Sequence, residues 1–277
     1  MPPVCPEPAP NQSGKCGVSF PSRSRCDSFW ILAIFRKPNQ LCLYRMIQVF
    51  PDCLQFRGRL VHHYALLDRD RIILIDGGFL SNTPSRVEEQ LSHAGRSIEE
   101  VSHILLTHGH FDHTRNIAEL RKRTGAAVWA PKLDEDLIAG EFKYVGSARA
   151  CGAVEWIGRR LLGFEPPIVD RWLEPEEKTE LWGDLECVPL PGHTQGHTGY
   201  YSPSRELLFA ADLFSNYFGH QKLPPRWLNS DQRAVIESIR SASCLSLGGG
   251  VLLSHCHSGT PEDHRSNLQF LALKHGI

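Results

Sequence analysis

The sequence predicts a layered α/β fold with mixed sheets, and three observations carry that expectation. Short apolar runs of strand character alternate with longer segments of helical period between residues 46 and 277. A hairpin turn, Asp68-Arg69-Asp70, joins two of the strands, so the sheets are not purely parallel as in a doubly wound protein. The hydrophobic fraction of 41%, over a stretch of single-domain length, is enough for one packed core.

Each element follows from a local signal. Residues 1–45 are rich in Pro, Ser, Cys and Arg and show no sustained period, so they read as an extension outside the fold. Arg23 and Arg25 ahead of the apolar run 29–35 have the look of a signal peptide, but no A-x-A-like cleavage site follows. Met46 opens the structured segment and is a natural start for it. Residues 60–67 and 71–76 (RIILID) are strands closed by Gly77-Gly78. Thr83-Pro84 opens a helix over 83–94, with Thr83 as the cap and proline in the first turn. A strand spans 101–107, a helix 114–124 stops at Gly125, and a short strand covers 127–130. Residues 133–162 read as mostly helical, with an apolar face that includes Leu137, Val154, Ile157 and Leu161. That face suits core packing, a cap over a site, or the surface of a homodimer. Strands at 186–190, 199–201, 207–210 and 251–254, with helices at 230–244 and 261–275, complete the chain.

Composition narrows the class. A net charge of −1 gives no electrostatic reason to expect nucleic acid or an anionic membrane as a partner. No apolar run approaches the ~20 residues that a membrane-spanning helix needs. The nine cysteines form no C-x-x-C, which argues against a disulfide framework or a zinc knuckle and for a reducing, cytoplasmic setting.

The chemistry is concentrated at strand ends. Thr107-His108-Gly109-His110-Phe111-Asp112-His113-Thr114 follows an apolar strand and runs into a helix. Histidines at i and i+2 of extended chain point the same way, so His108 and His110 can grip one ion, while Asp112 and His113 face a second position. Neutral imidazoles with carboxylates suit zinc, iron or manganese. Three further strands end alike: Pro191-Gly192-His193-Thr194-Gln195-Gly196-His197, Ala211-Asp212, and Ser254-His255-Cys256-His257. His193 and Asp212 read as ligands. His255 is preferred to His257 because it lies closer to its strand end. His197 reads as a histidine that steadies its loop, and Asp76 as a residue that orients a ligand. No G-x-S-x-G and no Walker loop is present, so serine-hydrolase and nucleotide-hydrolase chemistry has no support.

In these motifs the sequence resembles the metallo-β-lactamase-fold hydrolase superfamily, over about residues 46–277. The resemblance implies a four-layer αββα sandwich with two mixed β-sheets. It implies two Zn2+ ions, with iron or manganese as alternatives, one on His108, His110 and His193 and the other on Asp112, His113 and His255, bridged by Asp212 and a hydroxide. Such a site carries a charge near +1 and suits a developing oxyanion. Metal binding can bring the pKa of water from 15.7 to about 7, so the bridging hydroxide is the expected nucleophile. Asp112 is placed to orient it and to pass a proton to the leaving group. The substrate expected is a small molecule with an ester, thioester, lactone or lactam carbonyl. The acidic residue at Asp212 is closer to glyoxalase II and the lactonases than to the best-known zinc β-lactamases. Two alternatives stand beside this reading: a mononuclear iron persulfide dioxygenase of the same fold, and β-lactamase activity proper.

Overall fold

A computed structural model describes residues 46–58, 60–217, 220–257 and 259–276. The expectations for residues 1–45, including the apolar run 29–35, lie outside the described residues. The described residues open with four antiparallel strands, β1 (Met46–Phe50), β2 (Cys53–Phe56), β3 (His63–Asp68) and β4 (Arg71–Ile75). Helix α1 (Thr83–His93) then crosses to β5 (Val101–Leu105). Helices α2 (Phe111–Thr114) and α3 (Ile117–Thr124) lead to β6 (Ala127–Pro131), and α4 (Glu135–Ile138) and α5 (Arg149–Leu161) lead to β7 (Arg171–Leu173). Strands β4 to β7 pair in parallel, so the first sheet has seven strands in sequence order and is mixed.

The second half supplies β8 (Glu186–Pro189), β9 (Thr198–Ser202), β10 (Leu207–Ala211), the small hairpin β11 (Ser215–Tyr217) and β12 (His220–Lys222), helix α6 (Gln232–Ser243), β13 (Gly250–Leu253) and helix α7 (Pro261–Lys274). Its sheet has the order β13-β10-β9-β8, with β10 and β13 parallel and the other pairs antiparallel.

The two sheets pack face to face. Alternate residues of β3 and β4, Tyr64, Leu66, Ile73 and Ile75, turn inward against Tyr200, Leu207, Phe209 and Leu252. Their neighbours Ala65, Ile72 and Leu74 turn outward, where they join Val87 and Leu91 of α1 and Ile117 and Leu120 of α3. Both faces of these strands are therefore buried, which is why RIILI reads as an unbroken apolar run. On the far side, Ile239 and Ala242 of α6 and Leu268 and Leu271 of α7 cover the second sheet. The layers run helix, sheet, sheet, helix, as the resemblance implies. No helix among the described residues is long and apolar enough to cross a membrane.

Three local expectations change. Asn82, not Thr83, occupies the cap position of α1 and makes no side-chain bond there, while Pro84 lies in the first turn. The helix expected from residue 114 begins earlier, as α2, breaks at Arg115-Asn116 and ends at Gly125 as expected. The long helix expected over 133–162 is interrupted between Ile138 and Gly146, where Gly140 has φ +85° and Gly146 φ +56°. Its apolar set divides accordingly. Leu137 joins Tyr144 and Ala148 in a small core of their own, whereas Val154, Ile157 and Leu161 of α5 are 67, 51 and 79% exposed.

Candidate metal centre

Strand register determines which side chains meet. Ile75 pairs with Leu105, so the residues just beyond β4 and β5 emerge side by side. There the Thr107 N–H and hydroxyl both donate to the Asp76 carboxylate, each at 2.9 Å. Ala211 pairs with Leu253, which sets Asp212 beside the chain leading to His255. The His193 loop leaves β8 at the same edge and is tied back where the Thr198 N–H donates to the Thr107 carbonyl at 2.9 Å. Asp76 (φ 62°) and Ala211 (φ 46°) both take left-handed backbone conformations as their strands end, a strain that persists only where surrounding structure enforces it.

The seven residues expected as ligands are brought together. His108, His110 and His193 form one group, His108, His113 and Asp212 a second, and Asp112, His113 and His255 a third, with candidate ligand atoms within 4.8 Å of one another in each. Asp212 Oδ2 lies 3.3 Å from His193 Nε2 and 3.0 Å from His255 Nε2, and Asp212 Oδ1 lies 3.3 Å from His113 Nε2. Asp112 Oδ2 is 3.4 Å from His255 Nε2. His257 belongs to none of these groups. Both ring nitrogens of His197 are engaged with backbone, Nδ1 with the Leu190 carbonyl at 2.8 Å and Nε2 with the Asp212 N–H at 3.1 Å.

The donor set fits a cation. Nε2 of His108, His110, His113 and His193, together with Asp212 Oδ1, is buried without a hydrogen-bond partner. Five such atoms facing one another are unfavourable unless a shared positive charge sits among them. Protonation provides part of that charge in the metal-free protein. Burial pushes the His108 and His110 imidazoles well below their ordinary pKa, with repulsion from neighbouring histidines adding to the effect. Burial also works against charge on His113 and His255, but there Asp212 and the other surrounding acidic groups prevail and hold both well above the usual value. The same pairing outweighs burial at Asp112 and Asp212 and holds their carboxyls low.

A second set of groups orients these histidines. His113 Nδ1 lies 2.8 Å from Asp76, His108 Nδ1 2.9 Å from the Thr107 hydroxyl, His193 Nδ1 3.0 Å from Asn229 Oδ1, and His255 Nδ1 3.1 Å from the Tyr217 hydroxyl. Asp134 accepts the Gly109 N–H at 2.8 Å and the Gly196 N–H at 2.7 Å, so one buried carboxylate pins both histidine loops. Gly109 suits this close packing, because a Cβ there would stand 2.4 Å from that of Leu137. Asn229, Tyr217 and Asp134 escape sequence reading, since they lie 36, 38 and 25 residues from the groups they hold and no local motif marks them.

Comparison with known proteins gives the family and the fold. The chain is 28% identical over 170 residues to the hydroxyacylglutathione hydrolase GloC of Haemophilus influenzae, a match covering 59% of this chain and 73% of that protein. It is 29% identical over 114 residues to the hydroxyacylglutathione hydrolase of Rhizobium meliloti, covering 41% of this chain and only 34% of that protein. The native FEZ-1 metallo-beta-lactamase from Legionella gormanii has the same fold, with a TM-score of 0.64, 16% identity, and coverage of 87% of this chain and 97% of that one. Residues 57–241 match the family model for the metallo-beta-lactamase superfamily, and the chain belongs to that superfamily of metallo-hydrolases.

Proposed function

We propose that this protein is a dinuclear, zinc-dependent hydrolase of ester, thioester or lactone carbonyls. The observation that carries the reading is the position of Asp212, whose two carboxylate oxygens reach histidines of both ligand groups. His108, His110 and His193 would hold one ion, Asp112, His113 and His255 the other, and Asp212 both. Divalent zinc supplies Lewis acidity toward a carbonyl and lowers the pKa of a water to about 7.

The chain's own groups do the rest. The Asp112 side chain is 28% exposed against 7% for Asp212, so it is the carboxylate with access to a bound substrate. Its Oδ2 would orient the attacking oxygen, accept its proton and deliver that proton to the leaving group. A pocket adjoins His110 and His193, with Leu133, Leu137, Tyr144, Val145 and Ala148 among its walls. Lys143 at this pocket lies 3.3 Å from Asp136 and 3.7 Å from Glu141, which offsets its charge and favours an uncharged acyl group over an anionic one. Similarity to hydroxyacylglutathione hydrolases supports a thioester among the substrates.

Elemental analysis beside a panel of neutral thioesters, lactones and β-lactams tests the reading. Two zinc ions per chain with thioester or lactone turnover are expected. A single iron with oxygen consumption on a persulfide would replace it with dioxygenase chemistry, and β-lactam turnover alone would replace the substrate class.

A further inference from the structure

The segment between the two histidine motifs does more than border the pocket. Helix α5 presents Glu155 and Arg159, one turn apart, to the loop that carries His110. Arg159 donates to the Gly109 carbonyl at 2.8 Å. Glu155 accepts the Phe111 N–H at 3.0 Å. One helix turn therefore grips the peptide on each side of His110. The two side chains are 12 and 7% exposed and lie 3.6 Å apart, so each offsets the other's buried charge. Glu155 Oε1 is also 4.0 Å from His110 Nδ1. The Tyr144 hydroxyl donates to Glu155, and its ring stacks on the His110 ring at 6.0 Å and 21°. Two interactions from residues 144–159 thus hold the peptides that flank His110 and two meet its imidazole, and none of them involves a residue of the metal-binding motifs outside the His110 loop.

We infer that Glu155 and Arg159 are positioning residues that hold His110 in place for its metal, an inference that rests on the metal-centre reading above. Phe111 opens α2, the helix that carries Asp112 and His113, so the acceptor on its N–H also sets where that helix begins. Because the ligand strings themselves contain no partner for the Gly109 carbonyl or the Phe111 N–H, the inserted segment supplies what those peptide groups need.

The test uses the full chain with Glu155→Ala, Glu155→Gln, Arg159→Met and, as a control on the same helix, Leu161→Ala. Two readouts are taken: cobalt affinity and visible spectrum by competition with a chelator, and hydrogen exchange of the 109–111 peptide in the metal-free protein. Glu155→Ala and Arg159→Met are expected to weaken one cobalt site about 10–100-fold, the range for groups that orient a ligand, to alter its spectrum, and to speed exchange at 109–111. Glu155→Gln retains an acceptor and should stay within about threefold of wild type, and Leu161→Ala should match wild type. Unchanged exchange and unchanged cobalt binding in Glu155→Ala overturn the proposal. So does a Glu155→Gln variant as impaired as Glu155→Ala, because the hydrogen-bond acceptor would then not be what matters. If wild type binds no cobalt, the metal-centre reading fails by itself, and the exchange measurement still decides whether Glu155 and Arg159 clamp the loop.

Discussion

Replacing Asp134 by alanine tests how the two histidine loops are joined. Its carboxylate is 1% exposed and accepts two backbone N–H groups, from Gly109 at 2.8 Å and from Gly196 at 2.7 Å. Hydrogen bonds to a charged group contribute about 1.5–3 kcal/mol each, and donors left buried without a partner are costly in their own right. Against this, burial of the carboxylate is unfavourable and raises its pKa above the ordinary range despite the bonds it accepts. Taking the lower end of each bond, Asp134→Ala should lose about 3 kcal/mol, and Asp134→Asn, which keeps one acceptor oxygen, roughly half. Urea unfolding of the metal-free protein with an unchanged m value is the assay. The pH dependence has a definite sign. A carboxyl with a raised folded pKa binds its proton more readily in the native state, so wild type gains stability relative to Asp134→Ala as pH falls from that raised value toward about 3.9, the unfolded value. A loss below about 1 kcal/mol would refute the claim that Asp134 staples the two loops, and a difference that narrows on acidification would refute the raised carboxyl pKa.

Asp212→Ala should remove a ligand from both ions and lower kcat even in excess metal, with the ion on Asp112, His113 and His255 weakened most. Two tightly bound metals and near-normal turnover in that variant would sink the bridging role. Metal loading at pH 7 should release protons, because His113 and His255 are held protonated by their carboxylate neighbours in the metal-free protein and must give up those protons to bind an ion, with a further proton from any bound water whose pKa falls to about 7. Calorimetry in buffers of different ionisation enthalpy measures this, and a buffer-independent heat would contradict it. A chain beginning at Met46 is expected to bind metal and turn over substrate like the full chain. Loss of its cooperative melt would make residues 1–45 part of the domain.

The residues that the fold gathers into the candidate centre were legible because each stands in a short string at the end of an apolar strand, as in Thr107–Thr114 and Pro191–His197. The layers were legible because β3 and β4 bury both faces and show it as unbroken apolar sequence. What the sequence hides is the set of contacts made across space. Asn229 is an ordinary loop residue until the chain folds His193 onto it, and Asp134 follows Lys132-Leu133 with nothing to distinguish it from a helix-starting acid. The misread stretch at 133–162 has a related cause. Its apolar residues satisfy a helical period, but Gly140 and Gly146 take left-handed backbone angles that end one helix before the next begins. Glu155 and Arg159 resemble an exposed i, i+4 ion pair in sequence, and only the packing of α5 on the Gly109–Phe111 peptides buries them.

The division of the fold into two sheets has a consequence during synthesis. The seven-stranded sheet is complete at Leu173, before any strand of its partner has been made. At ~5–20 residues per second, the stretch from there to the end of β10 takes roughly 2–8 s to emerge. Until Trp182, Tyr200, Leu207 and Phe209 have followed, Tyr64, Leu66, Ile73, Ile75 and Leu105 lack most of the side chains that cover them in the folded protein. The nascent chain is therefore most prone to aggregation in mid-translation, and slow codons placed after residue 173 would prolong the exposure.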